Sequence, residues 1–322
     1  MHIVINVFLL TLGFVLLVQS AKLFVSASVD IAKRLKIPST VIALTVAAMG
    51  TSAPELMISV SAALGGSGDL AVANVVGSNI FNLLFIVGLC SLLYPINVNL
   101  KEIARDYWVS VAATVFLLGI VIAYNDTIPR MGSFILLAGF AVYMVALVRQ
   151  TMKNTSPDNH SDNNSDDKAA AAKSRPLALS ILLAVLGAAI IVGGGQLTVF
   201  SAVNIAVAIG ITERVIGLTV VAIGTSLPEL VTTIIACRKK EGEFAVGFII
   251  GSSIFNMMFV LGVAGSITPL GIERGVLFDT ILLIAGTLLF YLFARTGKRV
   301  SRLEGLAMFV IYIVYMAWVI FL

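Results

Sequence analysis

The string Gly-Thr-Ser-x-Pro-Glu-Leu occurs twice, at positions 50–56 and 224–230, each time inside an apolar stretch long enough to cross a membrane. A carboxylate at the bilayer centre costs about 2.5–3.5 kcal/mol on insertion scales, so an intramembrane Glu marks a functional site. Here Glu55 and Glu229 recur at an offset of 174 residues. That recurrence points to a duplicated transport unit with one composite cation site.

The apolar setting is a property of the whole chain. Of 322 residues 59% are hydrophobic and 12% charged, and the mean hydropathy is +1.05, outside the range of soluble globular domains. Apolar runs near 3–32, 38–63, 70–95, 106–124, 131–149, 177–209, 213–236, 244–267, 276–294 and 303–322 predict ten transmembrane helices, five per half. They are too long and too uniformly apolar for barrel strands, which alternate over about ten residues. The expected fold is therefore an all-α polytopic membrane protein. The first run has no basic segment before it and continues past Lys22 to about Ala32, so it reads as a span and not as a cleaved signal. Cys90 and Cys237 fall in opposite halves with no Cys or His nearby in sequence, and read as small packing residues.

Charge sets the orientation. The loops after spans 1, 3, 5, 7 and 9 hold 17 Lys and Arg, against three in the loops after spans 2, 4, 6 and 8. The positive-inside rule then puts both termini outside and the odd-numbered loops in the cytoplasm. The pI of about 9.1 arises from this distribution and not from a basic stripe, so no nucleic-acid partner is expected. Five spans separate the two motif copies, so the second enters the membrane from the opposite side. The flanking charges agree: Lys33–Lys36 precedes the first copy, whereas Arg238, Lys239 and Lys240 follow the second. The expected plan is two inverted five-helix repeats, 1–149 and 177–322, joined by a polar cytoplasmic linker at 150–176 that contains His160. The alignment extends beyond the motif: 37–56 matches 211–230 at thirteen of twenty positions, and 77–82 matches 251–256 at five of six.

The repeated residues carry a definite chemistry. Pro54 and Pro228 lack an amide hydrogen and clash with the carbonyl four residues back, which predicts helices opened near Gly50–Thr51 and Gly224–Thr225 with carbonyls freed at carboxylate depth. Glu55 is 12 residues from the turn at Ser67, roughly 18 Å at 1.5 Å per residue, near the midplane. Asn82 returns to a similar depth with Ser78 one turn away, and Glu229, Asn256 and Ser252 repeat this from the other side. Two carboxylates, two carboxamides, hydroxyls and carbonyls are all hard oxygen donors. They suit Ca²⁺ or Na⁺, whereas Mg²⁺ keeps its waters and transition metals favour His or Cys. A site of formal charge −2 balances one Ca²⁺ or two Na⁺ but not both together. Mutual exclusion combined with alternating access is antiport.

These motifs resemble the signatures of the cation/calcium exchanger superfamily, a Gly-Thr-Ser-x-Pro-Glu segment in spans two and seven and a Gly-Ser-Asn-x-x-Asn-like segment in spans three and eight. The resemblance covers essentially the whole chain. It implies that Glu55 and Glu229 ligate calcium, aided by the carbonyls of Thr51 and Thr225. Hydroxyls and carbonyls of Ser52, Ser226, Ala48, Ala222, Ser78 and Ser252 would complete the sodium positions. It also implies that the first and sixth helices slide across a core of the other eight. Potassium-dependent members carry Asp where this chain has Asn256, as do some microbial sodium/calcium exchangers, and proton-coupled members typically carry Glu in the motif that here supplies Asn82 and Asn256. Asn at both places favours sodium coupling.

The resulting expectation is a Ca²⁺/Na⁺ antiporter of the cell membrane, working as a monomer in the bilayer with no cofactor. A proton/calcium exchanger and a cation channel are the rivals. An enzymatic role is not expected, and no Gly-x-x-x-x-Gly-Lys-Ser/Thr loop for ATP is present. Lys22 and Asp30, inside the first span and aligned with Gln196 and Asn204, read either as gating charges or as residues snorkelling from a peripheral helix. Tyr107, Trp108, Tyr315 and Trp318 read as interfacial anchors.

Overall fold

The computed structural model describes residues 2–35, 37, 39–154, 176–209, 222–272 and 274–321, and most of them are helical. The first half contains α1 (His2–Leu35), the bent pair α2 (Thr40–Thr51) and α3 (Ala53–Leu64), α4 (Gly68–Leu93), α5 (Leu100–Ala123) and α6 (Arg130–Asn154). The second half contains α7 (Leu177–Ala208), the short α8 (Ala222–Thr225), α9 (Leu227–Arg238), α10 (Gly242–Ile267), α11 (Arg274–Gly297) and α12 (Arg302–Phe321). Eight helices among the described residues are long and apolar enough to cross a membrane, and the α2–α3 pair, bent by 48°, makes a ninth if counted as one span. The tenth predicted span, 213–236, is described only from residue 222. Residues 211–221 of the internal alignment, Arg214, most of the 150–176 linker and His160 lie outside the described residues. α5 begins six residues before the apolar run that predicted it, because the polar Lys101, Glu102, Arg105 and Asp106 are already helical.

Several contacts between the two halves recur in corresponding pairs. α1 and α7 run antiparallel: a Cβ on Gly13 would lie 2.7 Å from Thr198 Oγ1, and one on Gly187 would lie 3.0 Å from Phe24 Cβ. Gly13 corresponds to Gly187, and Phe24 to Thr198, so the two contacts exchange under the 174-residue offset. Small residues at these crossings let the backbones approach closely, which is how apolar helices gain dispersion energy where no hydrophobic drive separates them from lipid.

A related exchange recurs deeper in the molecule, with the partner positions displaced by two residues from the 174-residue offset. Gly88 of α4 faces the Phe309 backbone of α12, and its counterpart Gly262 of α10 faces Leu137 of α6. Two short antiparallel ladders also correspond. β1 (Ile96–Asn97) pairs with β4 (Arg299–Val300) in the register Ile96↔Val300, and β2 (Thr127–Ile128) pairs with β3 (Leu270–Gly271) as Ile128↔Leu270. Each ladder joins one half to the other, so neither half buries its apolar faces alone.

One reading of the sequence needs correction. Tyr107 is buried, 1% exposed, and donates to the Thr287 carbonyl at 2.8 Å, so it is a core residue and not an interfacial anchor. Cys90 and Cys237 are both buried, where the end of α4 meets α9, as small packing residues are.

Candidate cation site

The site forms where the two bent helices meet. The break in the first is a single residue, Ser52, with φ −82° and ψ 13°, and Pro54 sits in the first turn of α3, where its missing N–H costs no helical bond. Ser226 has the equivalent φ −92° and ψ 9° before Pro228 and α9. The opening is narrower than the sequence predicts. Ser52 N–H still donates to Ala48 O at 3.1 Å, and Leu56 N–H to Ser52 O at 3.2 Å. The carbonyl that Pro54 leaves without an amide donor four residues on is that of Gly50. Glu55 and Glu229 occupy the first turns of α3 and α9, where helix N-terminal dipoles favour negative charge.

Ser52 and Ser226 stand at N-cap positions but do not cap their own helices. Instead the hydroxyls cross between halves: Ser52 Oγ donates to Glu229 Oε1 at 3.1 Å, and Ser226 Oγ donates to Glu55 Oε1 at 3.2 Å. Each carboxylate is therefore held by the bend residue of the opposite repeat. Ser52 Oγ also lies 2.9 Å from Ser252 Oγ, to which Asn82 Nδ2 donates at 3.4 Å. Asn82 and Asn256 lie in π-helical turns, Phe81–Ile86 of α4 and Phe255–Val260 of α10, which widen the helix and turn the side chains inward.

Glu55, Glu229, Asn82 and Asn256 are fully buried. In each, one oxygen has no hydrogen-bond partner among the described residues: Glu55 Oε2, Glu229 Oε2, Asn82 Oδ1 and Asn256 Oδ1. These are two repeat-related pairs of pure acceptors. Buried polar atoms are nearly always paired, so four such oxygens in one place fit a cation that they would ligate.

The remaining predicted residues gather around this centre with different bonding. Thr51 is buried and its hydroxyl bonds back to the Ala47 and Ala48 carbonyls at 3.3 Å each. The Ala48 carbonyl thus accepts from Ser52 N–H and Thr51 Oγ1. Thr225 is buried in α8, and Ala222 opens that helix. Ser78 is buried one turn before Asn82, whereas its counterpart Ser252 is drawn into the bonded network.

Sequence reasoning passed over Asn79, Asn74 and Thr232. Asn79 Oδ1 accepts from Asn256 Nδ2 at 3.3 Å, and Asn79 Nδ2 donates to Ser253 O at 3.4 Å, which fixes the Asn256 amide. Asn74 Nδ2 donates to the Glu55 carbonyl at 3.3 Å and to Ser59 Oγ at 3.0 Å; on the other side Thr233 Oγ1 donates to the Glu229 carbonyl at 2.7 Å. Thr232 is buried with its Oγ1 unpaired among the described residues. The signal for the first half was available, since Asn74, Ser78 and Asn82 form a polar stripe at four-residue spacing.

Two further acids outside this centre are held by neighbours, Asp106 buried and Asp279 half-buried. Asp106 of α5 is buried beside Arg105, with N···O 2.6 Å, and Asp279 of α11 accepts from Tyr315 OH at 2.9 Å. Tyr315 is thus held by an acid on the neighbouring helix.

The profile of the sodium/calcium exchanger protein family matches residues 5–149 and 179–321. The sodium/calcium exchanger MaX1 of Methanosarcina acetivorans is 33% identical, covering 98% of this chain and 98% of that protein. The inner membrane protein YrbG of Escherichia coli is 36% identical over 81% of this chain and 79% of its own length. Among solved structures, the sodium-calcium exchanger NCX_Mj superposes with a TM-score of 0.82 at 30% identity, over 97% of both chains.

Proposed function

Because the chain belongs to the sodium/calcium exchanger protein family, we propose that it is a secondary antiporter exchanging Ca²⁺ for Na⁺ by alternating access, with one midplane site built from both halves. The observation that carries this reading is the set of four unpartnered buried oxygens on Glu55, Glu229, Asn82 and Asn256. Taking two carboxylates out of water is costly unless opposite charge is supplied, and a bound cation supplies it. Calcium accepts six to eight oxygens in a flexible shell, which the four orphaned atoms, the Ser52 and Ser226 region and nearby carbonyls can furnish. Charge balance at −2 makes occupancy by one Ca²⁺ or two Na⁺ exclusive, and exclusive occupancy is what couples the two fluxes.

The crossed serine bonds supply the coupling to the backbone. A cation that draws Glu229 inward pulls on Ser52 at the bend of the other repeat, and Ser226 transmits the same pull from Glu55. The reading extends to ten helices in two inverted repeats, 1–149 and 177–322, both termini outside and the 150–176 linker cytoplasmic. The antiparallel α1–α7 packing and the exchanged strand ladders support the inversion, and the 17-to-three distribution of loop cations supports the orientation.

Sodium, and not protons, is the coupling ion in this account, because the carboxamides of Asn82 and Asn256 do not titrate. The test is radiolabelled calcium uptake into proteoliposomes loaded with sodium and diluted into sodium-free buffer, beside a matched set with only an outward proton gradient. Uptake in the sodium set alone is expected. Uptake only in the proton set would move the protein to the proton-coupled branch, and flux without countertransport would make it a channel.

A further inference from the structure

We propose that Lys239 is a latch that holds shut the face bearing the 238–240 turn, and that this latch must release before the cation site can open to that face. Its meaning for transport rests on the antiporter reading above; its geometry does not.

The two faces of the site differ although their walls are related by the repeat. On one face a cavity of about 640 Å³ lies between α3, α7 and the α8–α9 bend, and it reaches Pro54, Thr225 and Pro228 of the repeated motifs. Its outer wall includes Met57, Ser61, Gln196 and Phe200. The 174-residue offset carries these four positions to Val231, Ile235, Lys22 and Ser26. There the walls are together. Met57 is 60% exposed, whereas Val231 is 7% exposed, and Ser61 is exposed where Ile235 is buried.

Lys239 spans the closed walls. From the turn after α9 its ammonium donates to the Lys22 carbonyl of α1 at 2.7 Å and to the Ser26 hydroxyl one turn along the same helix. Those acceptors sit at the positions that correspond to Gln196 and Phe200, on the wall of the open cavity. The counterpart of Lys239 is Gly65, which has no side chain with which to bridge. The latch therefore exists on one face only. An exposed ammonium bonded to a helical carbonyl is a reversible tie, and a second environment waits beside it. A polar cavity of about 170 Å³ holds Lys239 together with Asp30 and Glu241. When α1 moves away it carries Asp30 and Lys33 with it, and the ammonium can transfer to Glu241, two residues along its own turn, without being stranded. Glu241 is thus the alternative partner, while Asp30, on α1 itself, adds negative charge to the closed face.

Repeat symmetry supplies the motion. If the two halves exchange conformations, the walls at Val231 and Ile235 separate as those at Met57 and Ser61 close, and the Lys239 bonds to α1 are among the contacts that distinguish the two states.

The experiment uses full-length protein in which Cys90 and Cys237 are replaced by Ala, carrying either Ile235→Cys or Met57→Cys. The rate of modification by a cationic, membrane-impermeant methanethiosulfonate reports the opening of each face. Lys239→Met is expected to raise the rate at position 235 by about five-fold and to lower that at position 57, since losing the net worth of one ordinary hydrogen bond at an exposed position biases a two-state equilibrium by about that factor. Lys239→Arg should restore both rates. Ser26→Ala, which removes one acceptor, should shift them the same way by less, and serves if Lys239→Met fails to fold. Unchanged rates in both variants, or a parallel rise at both positions, would overturn the latch. Sodium-driven calcium uptake by the parent protein runs alongside: a reciprocal labelling shift without such uptake removes the antiporter reading and leaves the latch standing.

Discussion

Glu55→Gln or Glu229→Gln is expected to reduce calcium flux to the level of protein-free liposomes while the protein remains folded. Gln keeps the shape and the acceptor oxygen that meets the Ser226 or Ser52 hydroxyl. It removes one negative charge from a fully buried centre. Removing one partner of a buried ionic interaction costs about 3–5 kcal/mol, a few hundredfold or more in affinity. The unloaded protein should suffer no comparable loss, because the substitution also removes the cost of burying a carboxylate. Thermal melting in detergent, without calcium, should thus be equal to or above that of the parent, while uptake is lost. The two variants should match, since the sites they occupy are repeat images; wild-type transport by either would remove its glutamate from the site.

The second large effect concerns packing behind the site. A Cβ on Gly251 would lie 2.5 Å from Leu44 Cα and Leu44 O, so any side chain there must push α10 away from α2. α10 carries Ser252 and Asn256, and α2 leads directly into the bend at Ser52. Overpacking of this kind typically costs about 1–3 kcal/mol, and displacement of about 1 Å at a ligand set costs more in function than in stability. Gly251→Ala is expected to lower the melting temperature and to cut calcium uptake more than tenfold. The chain contains its own control: the counterpart Gly77 has no atom within 4 Å of an added Cβ, and Gly77→Ala should transport nearly as the parent does. Equal tolerance at both positions would contradict the close α2–α10 contact.

The contrast between Gly251 and Gly77 also shows where sequence reading stops. The duplicated Pro-Glu motif, the ten apolar runs and the shared offset were legible because helix length and hydropathy are local properties of the chain. The acids, asparagines and serines that the fold brings together at the candidate site stood out for a related reason: polar groups in apolar spans are costly, and these occurred twice.

What escaped the sequence was asymmetric or depended on partners distant in the chain. Asn79 aligns with Ser253 and Asn74 with Phe248, so neither is repeated, although both hold parts of the site. The core position of Tyr107 depends on which helices become neighbours, and composition does not report that. Freed carbonyls were expected from proline alone. A single-residue bend that keeps the Ser52–Ala48 bond gives a tighter opening, because the surrounding helices hold the chain on both sides.

Equilibrium calcium binding under sodium competition distinguishes one shared cation site from separate ones. Purified protein should bind one Ca²⁺ per chain, with sodium raising the apparent dissociation constant and leaving the number of sites unchanged. Two Ca²⁺ per chain, or calcium that stays bound at saturating sodium, would mean that the ions occupy separate places and would contradict the account.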